Sequence, residues 1–583
     1  MGAAFNNLLS VVTFLPLVGA LVMLFIPDGK MGRGIALWTS LLTFVVSLGL
    51  LAGFDTASTA AFQFEVNVPW AESIGIGYHI GIDGVSLLLI LLTTFMMPIV
   101  IYAAGSGITT RIKEFAIAIL VLETAMVGAF IALDLVLFYV FWELMLIPMF
   151  LIIGVWGSEN RIYAAVKFFI YTMVGSFLML LAILYLFWMT GEGGGDRSFD
   201  YLAFRALEIA PSVQVWLFLA FAFAFAVKVP MFPLHTWLPD AHVQAPAAGS
   251  VVLAAVMLKM GTYGFYRFAF PLFPAAAFEL RWLLIALSVI GIIYGSLMCM
   301  AQRDMKKLVA YSSVAHLGFV MLGLTAFTTA GAKGAVYQML NHGVSTGALF
   351  LLIGMLYERR HTRLIGDYGG IAKVIPAFAV IWMIVTLSSI GLPGTNGFVG
   401  EFLILSGTFF SKVPNSMVWG TLATSGVVLG AVYMLWMYQR LWHGKVLKPE
   451  NQKIQDLSLR EWMILSPLVV LIFVMGLFPG PFLEIAGPSV DRFISQMEQH
   501  NSELAGDPPP SIYAGKAKTA DAGAPAGDMA AAAAVAPGRG RLLDPGVIHL
   551  DPAAIPSNGR LPRAVLPQGD GDLQRALPPP AQK

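Results

Sequence analysis

The feature that most constrains this chain is a series of long apolar runs with a few ionisable residues placed deep inside them. A membrane-spanning helix needs about 20 consecutive, predominantly apolar residues. Runs of that kind lie near 8–27, 34–54, 82–103, 113–132, 134–155, 160–189, 211–235, 246–269, 279–300, 306–327, 331–357, 374–410, 416–439 and 461–479. They predict an all-α polytopic membrane protein with about fourteen spans. Only 12% of residues are charged, against about 25% in a soluble domain. The 374–410 run is too long for one straight span. It contains Gly391-Leu-Pro-Gly394, which predicts a break.

Basic residues orient membrane helices, because loops rich in Lys and Arg stay on the inner side. With the N-terminus outside, alternate loops hold seventeen basic residues, among them Lys30, Arg111, Arg161, Lys306, Lys307, Arg359 and Arg440. The opposite loops, up to residue 500, hold seven: Arg197, Arg205, Arg267, Arg281, Lys333, Lys412 and Arg492. This asymmetry predicts a multi-pass protein of the bacterial inner membrane with both ends outside. No Lys or Arg precedes the first apolar run, so it reads as a retained helix and not a secretory signal. Between spans two and three, Phe62-Gln-Phe-Glu-Val-Asn-Val68 alternates with period two and predicts a short strand or hairpin on the outer face. Beyond about residue 500 the chain turns rich in Pro, Ala, Gly and Asp without apolar periodicity, which predicts a disordered tail over 501–583.

Several function classes are excluded. A net charge of +1 offers no basic surface for nucleic acid. The single cysteine, Cys299, excludes intrachain disulfides and cysteine-ligated iron–sulfur clusters. There is no P-loop or GxGxxG motif, and no CxxCH haem site, although a bis-histidine haem stays open on spacing alone. The bilayer itself is the one partner that composition establishes.

Ionisable groups inside a span cost several kcal/mol on most scales and mark function by default. Glu123, Glu143, Lys167, Lys228, Lys259, His316, His342 and Glu401 all fall inside predicted spans. Each also has a structural reading. Lys167 lies near its helix end and could snorkel to the inner surface. Glu123 could be a hydrogen-bonded structural acid, and the two histidines neutral interior groups. Glu143, Lys228, Lys259 and Glu401 could form static ion pairs.

Two of the charged spans read as discontinuous. Lys228 is followed by Pro230 and Pro233, and Glu401 follows the Leu392-Pro-Gly394 break. Paired broken helices are the mark of transporters built from inverted repeats. His316 lies 173 residues after Glu143, and Glu401 lies 173 residues after Lys228. Five spans separate the members of each pair, an odd number that reverses orientation. The chain therefore divides into 1–112 (three helices and the outer loop 55–81), a first inverted repeat 113–269, a second 279–440, a last helix with flanks 441–500, and the tail.

Four segments carry a resemblance. They are Phe141-Trp-Glu-Leu-Met-Leu-Ile-Pro148, Ala226-Val-Lys-Val-Pro-Met-Phe-Pro-Leu-His-Thr-Trp-Leu-Pro-Asp-Ala-His242, Met257-Leu-Lys-Met-Gly-Thr-Tyr-Gly264 and Leu392-Pro-Gly-Thr-Asn-Gly-Phe-Val-Gly-Glu-Phe402. They resemble the antiporter-like subunits of NADH:quinone oxidoreductase, respiratory complex I, over roughly 1–495. A glutamate at 401 is similar to the branch known as subunit M or chain 4, where sibling branches usually place lysine. The resemblance implies a non-redox membrane subunit of a proton-translocating enzyme. It implies that Glu143 modulates Lys228, that Lys259 connects the two halves, that His316 and His342 lie on a central axis, and that Glu401 is the carboxylate of the second half. It implies no cofactor in this subunit, flavin and iron–sulfur clusters in partner subunits, quinone bound elsewhere, and sibling antiporter-like subunits as neighbours. Multisubunit cation/proton antiporters and membrane-bound hydrogenase complexes contain chains similar to this one and are the competing readings.

Overall fold

The computed structural model describes residues 7–26, 29–192 and 196–505. The predicted tail lies outside the described residues, apart from its first few positions, which are helical. Helices α1 (Leu8–Leu24) and α2 (Gly29–Gly53) precede a hairpin of strands β1 (Gln63–Ala71) and β2 (Ile76–Ile82). Then come α3 (Gly84–Gly107), α4 (Ile112–Ile131), α5 (Leu135–Leu144), α6 (Leu146–Trp156) and α7 (Arg161–Thr190). A short α8 (Tyr201–Arg205) leads to α9 (Pro211–Lys228), α10 (Trp237–Gln244), α11 (Ala247–Leu272) and the short α12 (Pro274–Glu279). The remainder is α13 (Arg281–Met300), α14 (Met305–Thr325), α15 (Thr329–Arg360), α16 (Pro376–Ser389), α17 (Asn396–Phe409), α18 (Ser416–Trp442), α19 (Leu459–Leu477) and α20 (Gly480–Ala505).

Among the described residues, twelve helical segments are long and apolar enough to cross a bilayer, with α5 and α6 taken together; α1 and α16 are shorter apolar helices. The chain is an all-α polytopic membrane protein. Its helices sort by burial. Helices α3, α4, α11, α14 and α15 are almost entirely enclosed, whereas α2, α7, α18 and α19 turn residues such as Trp38, Phe177, Val428 and Val470 outward. Apolar side chains on the outside are stable where the surrounding solvent is lipid. The helical backbone satisfies itself within each span. Of the buried ionisable side chains, Glu123, Lys259, His316 and His342 lie on these enclosed helices, and Lys228 and Glu401 on the inward sides of α9 and α17; the candidate site lies there.

Local sequence explains the element boundaries. Asp83 caps α3 by accepting from Ser86 N, and Asp134 caps α5 by accepting from Val136 N and Leu137 N. Asp304 caps α14 in the same way, through Lys306 N and Lys307 N. Such caps satisfy donors that the first helical turn leaves unpaired. Helix α19 starts with a complete capping box, Ser458 with Glu461. The expected hairpin is present, with Asn67 opposite His79 and Val66 opposite Ile80. Two isolated bridges have matching positions. Asp134, before α5, pairs with Asp200, and Asp304, before α14, pairs with Leu364.

Helix α9 ends at Lys228 and helix resumes as α10, the expected discontinuity, because Pro230 and Pro233 supply no N–H. Two features depart from the expected spans. The span expected at 134–155 is interrupted at Met145, two residues after Glu143. Helix α20 occupies 480–505, where no helix was expected. It buries Ala486, Val490, Phe493, Ile494 and Met497, a spacing of three and four residues that makes one apolar face. The expected break near 391 is present: α16 stops at Ser389, Gly391 and Gly394 adopt φ of +72° and +92°, and α17 begins at Asn396. Helix α11 runs unbroken but contains two π-helical turns, Leu253–Met257 and Phe265–Ala269.

Candidate functional site

Lys228 sits at the last residue of α9, 1% exposed, and its ammonium has no hydrogen-bond partner among the described residues. Its surroundings are aromatic. Nζ lies 5.1 Å from the Trp142 ring centroid and 5.8 Å from that of Phe168. A cation over an aromatic face gains about 0.5–2 kcal/mol, less than the several kcal/mol that burial of an unpaired charge costs. The compensating charge is Glu143, which interacts electrostatically with Lys228 from the end of α5. Tyr139 and Ser176 lie beside the Glu143 carboxyl, while its Oε1 is buried without a partner. The α9 break is pinned by Trp237, whose indole N–H donates to Val227 O at 2.9 Å.

Lys259, on α11, is fully buried. Its ammonium donates to Ala254 O at 2.5 Å and lies 2.7 Å from His342 Nδ1. Ala254 belongs to the first π turn, where the wider helical repeat changes which carbonyls are bonded along the helix. His342, on α15, faces His316, on α14, with ring centroids 5.7 Å apart. His316 Nδ1 lies 3.3 Å from Glu401 Oε1, and its Nε2 lies 3.5 Å from Ser389 Oγ. Glu401 also accepts from Gln338 Nε2 at 3.2 Å. A cavity of about 10 Å³ opens beside His316, Ser389, Glu401 and Tyr433, room for about one water. Four of the eight residues singled out from sequence thus form one line through the enclosed helices: Lys259, His342, His316, Glu401.

The other four are placed differently. Glu143 and Lys228 form a separate pair. Lys167 does not reach into the bundle; its Nζ bonds Asp240 Oδ2 at 2.6 Å near the α10 half-helix, with both side chains partly exposed. Glu123, on α4, is fully buried with neither oxygen hydrogen-bonded among the described residues.

Sequence reading missed several groups. Asp240 stands within the Lys228–His242 segment and was available as a partner for Lys167. His242 is fully buried and stacks on Phe350 at 4.6 Å, with neither ring nitrogen hydrogen-bonded among the described residues. Gln338, Asn341, Ser345, Ser388 and Asn396 are buried polar residues around the Glu401 end. Neutral residues carry no charge signal in an apolar run. The spacing of Gln338, Asn341 and Ser345 along one helix face was the available clue. Among the described residues no group of three or more His, Cys, Asp or Glu is placed to hold a metal ion.

The family described as NADH:quinone oxidoreductase/Mrp antiporter, TM, matches residues 132–430, which include every residue of this line and of the Glu143–Lys228 pair. The NADH-quinone oxidoreductase subunit M of Rhodobacter capsulatus is 48% identical over 514 residues, covering 86% of this chain and 99% of that protein. This chain belongs to the subunit M family. The NADH-ubiquinone oxidoreductase chain 4 of Marchantia polymorpha is 45% identical, over 84% of this chain and 98% of the relative. Among solved structures, a chain of respiratory complex I from Thermus thermophilus with bound NADH superposes with a TM-score of 0.75 at 32% identity, covering 84% of this chain and 99% of that one. These relatives are thus matched almost end to end, over 84–86% of this chain.

Proposed function

We propose that this chain is the proton-translocating, antiporter-like membrane subunit of an NADH:quinone oxidoreductase, coupling quinone reduction elsewhere in the complex to proton movement. The observation that carries this reading is the row of closely spaced groups Lys259, His342, His316, Glu401 enclosed among the helices, with the Glu143–Lys228 pair beside the first helix break. Each member can hold or pass a proton, and opposite charges nearby bias which of them does. Glu143 acts on Lys228, Lys259 joins the two halves, and Glu401 ends the line. Glu123 and Lys167 are secondary members: one is a buried acid, the other an ion-paired lysine at the edge.

The input that drives the line comes from outside. The subunit holds no redox group of its own; flavin and iron–sulfur clusters belong to partner subunits, and quinone binds elsewhere. The neighbours are other membrane subunits, including sibling antiporter-like chains. The protein sits in the bacterial inner membrane with fourteen spans and both ends outside, and residues 113–269 and 279–440 are inverted repeats. The matched caps and bridges at Asp134 and Asp304 support that symmetry, since they open the helices that carry Glu143 and His316.

The test is purification of the intact assembly in mild detergent, followed by measurement of quinone reduction and proton uptake in vesicles. Flavin and iron–sulfur partners are expected. Recovery with neither would point to a cation/proton antiporter, and nickel–iron partners to a hydrogenase complex. For orientation, reporter fusions after Lys307 should report the inner side and those near Asp200 the outer side; the reverse result would overturn the topology.

A further inference from the structure

Two buried amide networks link α15 to α17 near the α16–α17 break, and they differ in one respect. In the first, Asn396 is held at both ends. Its Oδ1 accepts from Ser388 Oγ at 2.5 Å and its Nδ2 donates to Ser345 Oγ at 3.2 Å. In the second, Gln338 Nε2 donates to Glu401 Oε1 at 3.2 Å, and Gln338 Oε1 accepts from Asn341 Nδ2 at 3.0 Å. Asn341 and Gln338 are each 2% exposed, and Asn341 Oδ1 has no partner among the described residues. No third group therefore fixes the sense of this pair. Only Glu401 does.

That has a chemical consequence. A carboxylate accepts hydrogen bonds only, whereas a carboxylic acid must also donate one. Rotating a primary amide by 180° exchanges its nitrogen and oxygen at almost the same positions. If both amides rotate, Gln338 Oε1 faces Glu401 and Gln338 Nε2 faces Asn341 Oδ1. The number of hydrogen bonds is unchanged, and the outer end of Asn341 is as unpartnered as before. Space for the pair comes from Gly400, the residue before Glu401. A Cβ there would stand 2.5 Å from Gln338 Oε1 and 2.7 Å from Asn341 Nδ2.

We propose that Gln338 and Asn341 are positioning residues that form a reversible amide relay, holding Glu401 in both of its protonation states. The inference rests on the reading of Glu401 as a proton-transfer group. In one state Gln338 N–H donates to the carboxylate. When a proton arrives at Glu401, its O–H donates to Gln338 Oε1, and Gln338 N–H donates to Asn341 Oδ1. No covalent bond changes at either amide, and the proton stays on the carboxyl group until it leaves toward His316.

Acid-minus-base infrared difference spectra of the intact complex, with coupled proton pumping measured in parallel, test this. The carboxylic acid band of Glu401 is the one lost in Glu401→Gln. In Gln338→Met that band should move to higher wavenumber, as for an acid without an acceptor. Pumping should fall about tenfold, the worth of a hydrogen bond to a charged group. Asn341→Leu should lower it about threefold, and the double variant should be no worse than Gln338→Met alone, because Asn341 acts through Gln338. Gly400→Ala keeps both amides but displaces them, and should shift the same band even if Gln338→Met fails to assemble. An unshifted band in both variants, or additive losses, overturns the relay while loss of pumping in Glu401→Gln leaves the proton reading standing. Pumping unchanged in Glu401→Gln overturns that reading and the relay with it.

Discussion

The two charged ends of the bundle solve the burial of an ionisable group in opposite ways. Lys228 is surrounded by Trp142 and Phe168 and has no hydrogen-bond partner among the described residues. Glu401 is tied to Gln338, faced by His316, and backed by an amide that can follow it. The first site keeps a charge in a poor environment, where a small change in the position of Glu143 has a large effect. The second keeps it in an accommodating one. Low local dielectric strengthens both the penalty and the coupling. The pair Glu143–Lys228 is therefore suited to switching, and the Glu401 end to holding a proton steadily until it is released.

Activity separates the sites first. Lys228→Ala and Glu143→Gln should each lower coupled quinone reduction and proton translocation by roughly tenfold or more, a barrier change of about 1.4 kcal/mol. Glu143→Asp should retain substantial activity. Lys228→Arg should recover little, because a guanidinium does not release its proton in a protein. An arginine variant pumping at the unmodified rate would reduce Lys228 to a fixed positive charge and erase the contrast.

Stability should separate them in sign. Replacing a buried ion pair as a whole by apolar residues of similar volume is often neutral or stabilising by about 1–4 kcal/mol, whereas removing one partner strands the other. The double variant Glu143→Leu/Lys228→Met should raise the thermal unfolding midpoint of the assembled complex. Glu401→Leu should lower it through a loss of about 1–3 kcal/mol of stability, since Gln338 and His316 lose their partner. Midpoints moving the same way would show the two environments to be equivalent. A smaller effect is expected at Trp142. Trp142→Leu removes the nearer aromatic face and should cost about 0.5–2 kcal/mol of lysine stabilisation, read as a fewfold change in pumping with assembly intact.

The smallest effect lies outside the bilayer, in a third arrangement. His79, on β2, bonds Asp200 through Nδ1 and Glu65 through Nε2 at 2.8 Å. Burial alone would lower the His79 pKa, but its hydrogen bonds and charge interactions with the two carboxylates outweigh it and raise the value. Burial likewise pushes Asp200 up, and His79 outweighs it and lowers it. The His79 contribution to hairpin stability is therefore complete below about pH 6.5 and lost as pH rises through the raised value. That of Asp200 is complete above about pH 3.9 and lost as pH falls through the lowered value. Amide exchange across residues 63–82 should be slowest between these limits. His79→Asn should flatten the alkaline side while leaving pumping unchanged.

Much of this was legible in the sequence for a physical reason. Apolar runs long enough to span, and charges inside them, are costly enough to leave a pattern in a single chain. Lys259, His342, His316 and Glu401 stood out by residue type and the two helix breaks by proline position, whereas the arrangement of the four along one line came only from the resemblance. Helix α20 was missed because its apolar face is interleaved with Glu484, Asp491 and Arg492, which lowers its mean hydropathy. The signal for the interruption at Met145 was Pro148, which offers no N–H to the carbonyl of Leu144. Lys167 looked like a member of the bundle until Asp240 was placed beside it. Gln338 and Asn341 were invisible for a different reason: a neutral amide costs little in an apolar run, and its importance depends on what faces it.

The π turn at Leu253–Met257 carries a consequence for how far this helix can be edited. A π turn accommodates one more residue than an α turn between the same hydrogen-bonded ends, so a single extra residue is held there without breaking the rod. Deleting one residue of that segment would let ordinary winding resume with the two flanks of α11 still in register, whereas a deletion in an α-helical turn would rotate one flank by about 100° relative to the other. Lys259 lies two residues past it, so the lysine would keep its side of the helix and lose the local geometry that presents the Ala254 carbonyl to it. A gap of one position is thus absorbed here, but on none of the ordinary α turns of this helix.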